Sequence, residues 1–338
     1  MFDIEEIRSE LVNYVNDNPR AFQTALLSDS IFLSKYATRV TKVNGEFPSV
    51  VELMGHVVQA FYSKKFTPFG DVKFKKKDLR TYRQKVDFLL DPASILGTIF
   101  ANKYSEGADP KEKLITKEVM DLLLKKIIDD LDILHITGTY DATKVGVDNP
   151  QFGFSMDGIQ TTINKIVADT QNPAYMIPGS VVTANNILGE INAFEKNLPR
   201  MAKPKVKEIF ISLEDLEEYQ EAYDDTYKNA PSFKDTDVTK TRIGKREIVG
   251  VPGLDKGTIF TTIGGNLLEL VDVIENPGVI TGVQVFDRTI KMLSDFSLNF
   301  DFGVNQYLYV HTPDAAKKIG LNNAEQNALF YPSESKIV

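Results

Sequence analysis

Two runs of alternating residues with a block of cations between them constrain this chain more than any other feature. In "GDVKFKKKDLRTYRQKVDFLL", Gly70 to Leu90, Val72 and Phe74 alternate with Lys73 and Lys75. Tyr82, Gln84, Val86 and Phe88 then alternate with Thr81, Arg83, Lys85 and Asp87. Period-2 alternation marks strands with one apolar and one polar face. The spacing predicts two strands paired with each other, with the charged block at their tip. At ~3.3 Å per residue, arms of about eight to ten residues reach roughly 30 Å. An isolated two-stranded ribbon is barely stable in water, so it must lie against a surface. From Lys64 to Lys85 there are nine basic residues: Lys64, Lys65, Lys73, Lys75, Lys76, Lys77, Arg80, Arg83 and Lys85. Only Asp71 and Asp78 oppose them, so the segment carries +7 in a chain of net charge -8, leaving -15 for the remainder. An acidic protein has gathered its positive charge on one protruding element.

With 338 residues the chain has room for one large domain or two ordinary ones. Its 42% hydrophobic and 25% charged residues suit a soluble globular protein. A pI near 5.1 argues against general coating of nucleic acid, which needs a broad positive face. The absence of Cys excludes disulfides, thiolate nucleophiles and cysteine metal sites. "MFDIEEIRSELVNYV" is an acidic amphipathic pattern without a signal core, and no apolar run approaches the ~18 residues of a membrane span. These features predict a soluble protein made in a cytoplasm.

Residues 4–16 read as a helix with Ile4, Ile7, Leu11 and Val15 on one stripe, and a second helical piece follows at 19–27. With no obvious partner of their own, these pieces suggest an arm lying on something else. Asn44-Gly45 between two β-prone runs predicts a hairpin. After the Asp91-Pro92 break and the loop "NKYSEGADPKEK" comes the strongest helix, from about Thr116 to Ile136. Its apolar stripe comprises Val119, Met120, Leu123, Leu124, Ile127, Ile128, Leu131 and Leu134; its length is about 32 Å, and Gly138 is placed to end it. Residues 139–157 are turn-rich. Helices are predicted near 158–170 and 184–197, then a strand at "VKEIFIS". A helix follows, capped by Ser212 with Asp215 completing the box. Its buried side is Leu213, Leu216, Tyr223 and Tyr227; its outer side is Glu214, Glu217, Glu218, Glu221 and Asp225. From Arg246 the pattern is mostly β, and the tail after Pro313 reads as polar and peripheral.

Signs of catalysis are scarce. His56, His135 and His311 share no metal-ligand spacing and read as structural. There is no phosphate loop, nucleophile elbow or HExxH. "GVPGLDKG" and Gly264-Gly265 read as β-turns. Catalytic carboxylates need pKa values moved by burial or neighbours, and those of the 213–226 helix lie on the predicted wet face. No cofactor or metal is expected. The basic ribbon, with Phe74 and Tyr82, admits a second reading as a binder of single-stranded nucleic acid by charge and stacking.

The order of parts is an acidic helical arm, a basic ribbon, a long rod helix, a mixed region and a β-rich return. That order resembles the major capsid protein of tailed bacteriophages, an α+β chain of the HK97-like fold. "KEVMDLLLKKIIDDLDILHITGTY" looks like the family's spine helix and the turn after it, and "GDVKFKKKDLRTYRQKVDFLL" like its extended loop. "KEIFISLEDLEEYQEAYDD" and "REIVGVPGLDKGTIFTTIGGNLLELVDV" resemble stretches of its axial domain. "VQVFDRTIKMLSDFSLNFDFGVNQYLYV" resembles the closing strands of its peripheral domain. The resemblance spans roughly residues 30–312. It implies an N-terminal arm (1–35), a peripheral domain (36–60, 91–150 and 280–312) with its spine helix at 116–136, and an extended loop (61–90). An axial domain (151–279) and a C-terminal tail (313–338) complete the division.

The function so implied is a non-enzymatic subunit that assembles as pentamers and hexamers into an icosahedral shell. The shell would enclose double-stranded DNA without sequence-specific binding, as part of a virion assembled in the host cytoplasm. Portal, scaffold and decoration proteins are implied as possible partners, and a membrane is not. In this family the extended loop lies across a neighbouring subunit. The expected contact residues are therefore Val72, Lys73, Phe74, Lys75, Lys76, Lys77, Arg80, Tyr82, Arg83 and Lys85. The candidate acidic partner face is Glu214, Glu217, Glu218, Glu221 and Asp225. The apolar face of the ribbon should carry more of the free energy than its exposed ion pairs. A net negative wall would avoid holding packaged DNA. With about 60 residues before the ribbon, removal of a long N-terminal scaffolding segment is not expected, and no motif marks a crosslinking asparagine. The alternatives are an encapsulin-like compartment shell, a nucleic-acid-binding protein using residues 64–85, and a hydrolase using surface carboxylates.

Overall fold

The computed structural model describes residues 4–18, 20–26, 31–70, 72–91, 115–230, 238–274, 277–286, 289–314 and 316–337. Helices α1 (Ile4–Asp17) and α2 (Ala21–Leu26) precede strands β1 (Thr38–Thr41), β2 (Glu46–Met54), β3 (Val72–Arg80) and β4 (Tyr82–Leu90). Next come α3 (Ile115–Thr137), α4 (Ile159–Ala168), β5 (Tyr175–Pro178), α5 (Ile187–Asn197), β6 (Glu208–Ser212) and α6 (Leu213–Tyr227). Strands β7 (Glu247–Val251), β8 (Phe260–Thr262), β9 (Leu267–Val271), β10 (Pro277–Phe286), β11 (Thr289–Phe302) and β12 (Leu308–Thr312) follow. Strand β13 (Gly320–Leu321) and α7 (Ala324–Phe330) close the chain. The loop "NKYSEGADPKEK" lies outside the described residues.

Among the described residues, β11 organises the first sheet. One edge pairs antiparallel with β4 from Ile290↔Leu90 to Leu298↔Tyr82. The other pairs with β10 and then with β9. The second sheet runs β13-β5-β12-β8-β6-β7. The rod α3 packs Ile127 and Leu131 into the largest core, with Ile159 and Ile163 of α4 and Phe296, Leu298 and Phe300 of β11. A separate core holds Ile187, Ile191 and Phe194 of α5, Ile209 and Ile211 of β6, and Tyr219 and Tyr223 of α6.

The rod covers its sequence-derived stripe, but it ends for a different reason than a left-handed cap. A Cβ on Gly138 would lie 2.6 Å from the Leu134 carbonyl oxygen and 2.7 Å from that of Met156. One on Gly158 would lie 2.5 Å from the Ile136 oxygen. The two glycines let the end of α3 and the start of α4 meet backbone to backbone, with Gly158 N–H donating to the Gly138 carbonyl at 2.8 Å.

Several expectations are corrected. Strands 72–80 and 82–90 exist, but they do not pair with each other. Only Thr81 separates them, fewer than the two residues of the tightest common hairpin. β3 pairs antiparallel with β2 and β4 pairs with β11. The lysines expected at a tip are mid-strand. Asn44-Gly45 makes no hairpin either, because β1 joins β9 in parallel. Helix α1 rests on its own chain, burying Leu11 with Leu90, Met120, Ile290 and Met292. Ser212 caps α6 by accepting from Asp215 N–H, but the Asp215 carboxylate accepts from Gly257 N–H at 2.6 Å. Leu213, expected inside, is exposed. The tail is not peripheral: β13 pairs with β5, and Leu321, Leu329 and Tyr331 are buried.

Candidate assembly surface

The ribbon is therefore β2 with β3, nine residues each, in register from Glu46↔Arg80 to Met54↔Val72, a span of roughly 30 Å. The chain leaves the body at Gly45 and returns at Thr81, and these two positions hold each other. Thr81 N–H donates to the Gly45 carbonyl at 2.7 Å, and Gly45 N–H donates to Thr81 Oγ1 at 3.0 Å. Lys77 fixes the root. Its side chain is 9% exposed, and its ammonium donates to Asp301 Oδ1 at 2.8 Å, to Asn305 Oδ1 at 2.7 Å and to the Phe302 carbonyl.

Residues opposite one another in an antiparallel pair share a face. The inner face presents Lys73, Lys75, Lys77 and Leu79 with Val51, of which Leu79 and Val51 are buried. The outer face presents Val50, Met54, Val72 and Phe74, exposed by 62, 50, 42 and 64%. Alternate lysines turn toward the subunit's own body, and the outer face is mixed, with Val50, Met54, Val72 and Phe74 exposed among Glu46, Glu52, Lys76, Asp78 and Arg80.

Beyond the strands, residues 55–70 form the tip. Phe61 and Phe66 are 92 and 91% exposed, and Val58, Tyr62 and Phe69 also face solvent. Gln59 Nε2 donates across the tip to the Thr67 carbonyl at 2.7 Å. The neck is tight at Gly70 (φ +103°), where a Cβ would lie 2.8 Å from the His56 carbonyl oxygen. Soluble monomers rarely expose so many large apolar side chains together. Sequence reasoning missed it. The signal was there in "VVQAFYSKKFTPFG", an apolar run with neither helical nor strand period between Gly55 and Gly70.

Much of the positive charge is met within the chain. Lys73 pairs with Glu325, Lys76 with Asp78 at 2.9 Å, Arg83 with Asp295 at 2.8 Å, and Lys85 with Asp87. Arg80 lies over the rings of Tyr82 and Tyr140 at 5.1 and 5.0 Å. Tyr82 is buried, and its hydroxyl donates to Asp157, whose carboxylate also accepts from Lys165 at 2.6 Å and from Tyr140 N–H. Burial first, then this carboxylate, pushes the Tyr82 phenol well above its usual range. Tyr82 therefore offers no free ring for a base to stack on. On α6, Glu214, Glu217, Glu221 and Asp225 are exposed, whereas Glu218 is half-buried and paired with Lys256.

Next to the root, β4, α3 and residues 140–155 enclose an open groove of about 670 Å³, floored by Leu131, Leu134 and Phe296 and rimmed by Tyr140, Val145 and Phe152. The histidines lie elsewhere. His135 is wholly buried against the edge of Phe300, and burial lowers its pKa to about 3. His311 Nε2 lies 3.4 Å from Glu190 Oε2; burial lowers its pKa, opposed by that carboxylate. His56 is exposed at the tip's base. Among the described residues, no three His, Asp or Glu side chains gather as a metal site, and no helix is long and apolar enough to cross a membrane.

No protein-family model and no curated protein matches the chain. Solved structures do. A chain of the satellite phage P4 procapsid including the size determination (Sid) protein superposes with a TM-score of 0.57 at 11% identity, covering 91% of this chain and 97% of that one. The capsid of the empty GTA particle gives 0.53 at 10% identity, covering 84% and 90%. The capsid of Myoviridae phage XM1 gives 0.50 at 7% identity, covering 83% and 90%. The chain has the mixed helix-and-sheet fold of these phage capsid proteins.

Proposed function

We propose that this protein is the major capsid protein of a tailed bacteriophage, a non-enzymatic subunit that closes into an icosahedral shell around double-stranded DNA and resides in the virion. The observation that carries this reading is the ribbon on a capsid-protein fold. It projects roughly 30 Å from a pinned root, turns Val50, Met54, Val72 and Phe74 outward and ends in a cluster of exposed aromatic side chains. A monomer gains nothing from such an element, and a repeated neighbour supplies the missing cover.

In this reading Val50, Met54, Val72 and Phe74, with Phe61, Phe66 and Phe69 of the tip, meet an adjacent copy. Each large apolar side chain so covered stabilises by roughly 1.5–3 kcal/mol before the costs of association, against 0.2–1 kcal/mol for an exposed ion pair. Apolar contact therefore dominates, and charge sets register. The groove beside α3 is the acceptor offered to the tip. The acidic face of α6 is the surface offered to Lys64 and Lys65. Contact between unlike surfaces repeats around a ring, as pentamers and hexamers require. In HK97-like terms, α3 is the spine helix, the sheet around β11 is the peripheral domain and the sheet around β12 is the axial domain, a division that moves β9 out of the expected axial stretch 151–279 and β12 out of the expected peripheral stretch 280–312. The extended loop is residues 46–80 and not the expected 61–90, because 82–90 pair with β11 in the body.

Expression of the chain alone, followed by light scattering and electron microscopy, tests the reading. Closed shells or rings of five and six are expected. A monomer at every protein and salt concentration would count against it.

A further inference from the structure

The ribbon does not hang from its root alone. We infer that the C-terminal segment, residues 316–337, is a strut that fixes the direction in which the ribbon projects; this rests on the reading of the ribbon as the assembly contact. Four contacts carry the inference. At the root, Lys77 is tied to Asp301, Phe302 and Asn305. Four residues further out, roughly 13 Å along the strand, Lys73 pairs with Glu325 at the start of α7. At the far end of β2, the Gly55 backbone packs on Leu329, where a Cβ would lie 3.6 Å from Leu329 Cδ2. His56 Nε2 meets Ser333 Oγ at 3.2 Å. A ribbon held at its root alone can swing; one held at both ends of its length cannot.

The segment is itself firmly seated. β13 pairs with β5, and Leu321, Leu329 and Tyr331 are buried. Gln326 Nε2 donates to the Gln171 carbonyl at 2.6 Å and its Oε1 accepts from Gln306 Nε2 at 2.8 Å. The strut therefore connects the core of the second sheet to the ribbon, which leaves from beside the first. This gives the lysine-bearing inner face a role within the subunit and leaves the outer face to the neighbour. It also gives the tail a function that its polar sequence conceals. Ribbon direction sets the angle between adjacent copies, so the strut bears on the curvature of the shell.

The chain has no cysteine, so His56→Cys with Ser333→Cys supplies a clean thiol pair. A short bis-maleimide should link the two within one chain, both before and after assembly. Linked subunits should form particles of the same size as unlinked ones. Lys73→Glu should reduce the yield of correctly sized particles by roughly 1.4- to fivefold, the range an exposed ion pair supports. Adding Glu325→Lys to it should restore the yield. Failure to link, loss of assembly on linking, or failure of the reversed pair to rescue would overturn the strut. If the unmodified chain never assembles, the shell reading fails instead, and intrachain linking of the monomer still decides whether the ribbon is braced.

Discussion

Lys77→Met removes the charge at the ribbon root and keeps the apolar stem. The side chains of Lys77 and Asp301 are 9 and 13% exposed, so water cannot replace the ammonium cheaply. Asp301 would keep its bond from Phe302 N–H at 2.7 Å, while Asn305 Oδ1 and the Phe302 carbonyl would each lose a donor. Removing one partner of a buried ion pair costs about 3–5 kcal/mol, and the residual exposure puts this site near about 3. Unfolding entropy of ~2.1 cal/mol/K per residue gives ~0.7 kcal/mol/K for a chain of 338 residues, if it melts as one unit. The expected drop in melting midpoint is then about 4 °C, read by calorimetry on unassembled subunits. Asp301→Asn should cost a similar amount. The double variant should cost less than the two together by about 1.5 kcal/mol or more. A drop below about 1 °C, or strict additivity, would refute the assignment of Lys77 as the root pin.

Three further outcomes follow from the geometry. His135, with a folded pKa of about 3 against an ordinary 6.5, binds fewer protons folded than unfolded between those values. Stability is full above pH 6.5 and falls by about 1.4 kcal/mol per pH unit below it, and His135→Leu should flatten that slope in pH-dependent unfolding. Gly138→Ala puts a methyl group 2.6 Å from a backbone oxygen and should cost about 3 kcal/mol or more; an unchanged melting midpoint would contradict the close approach. Phe61→Ser with Phe66→Ser should leave the unassembled subunit within about 0.5 kcal/mol of wild type and abolish assembly; normal shells from this variant would remove the tip from the contact.

Local pattern was legible in the sequence and long-range pairing was not. The rod α3, the strand at 72–80 and the strand at 82–90 follow from their periodicity, because the period is written in neighbouring residues. Their partners are not written there. β4 finds β11 some two hundred residues later, and Lys77 finds Asp301 and Asn305 across the same distance. Lys77 reads as one more surface cation until that turn of chain is in place. Which way each side of the ribbon points is likewise not written locally: Lys73 and Lys77 turn to Glu325 and Asp301 of their own chain, both far away in sequence. The tail misled through composition, since Leu321, Leu329 and Tyr331 are few among polar neighbours yet are the ones that pack.

The most direct measurement is an electron cryo-microscopy map of particles assembled from this chain, read at the ribbon tip. The expected result is a closed shell in which residues 46–80 of one subunit cross its neighbour, with Phe61, Phe66 and Phe74 buried against that copy. A shell in which those rings stay exposed to solvent would contradict the ribbon as the clamp between subunits.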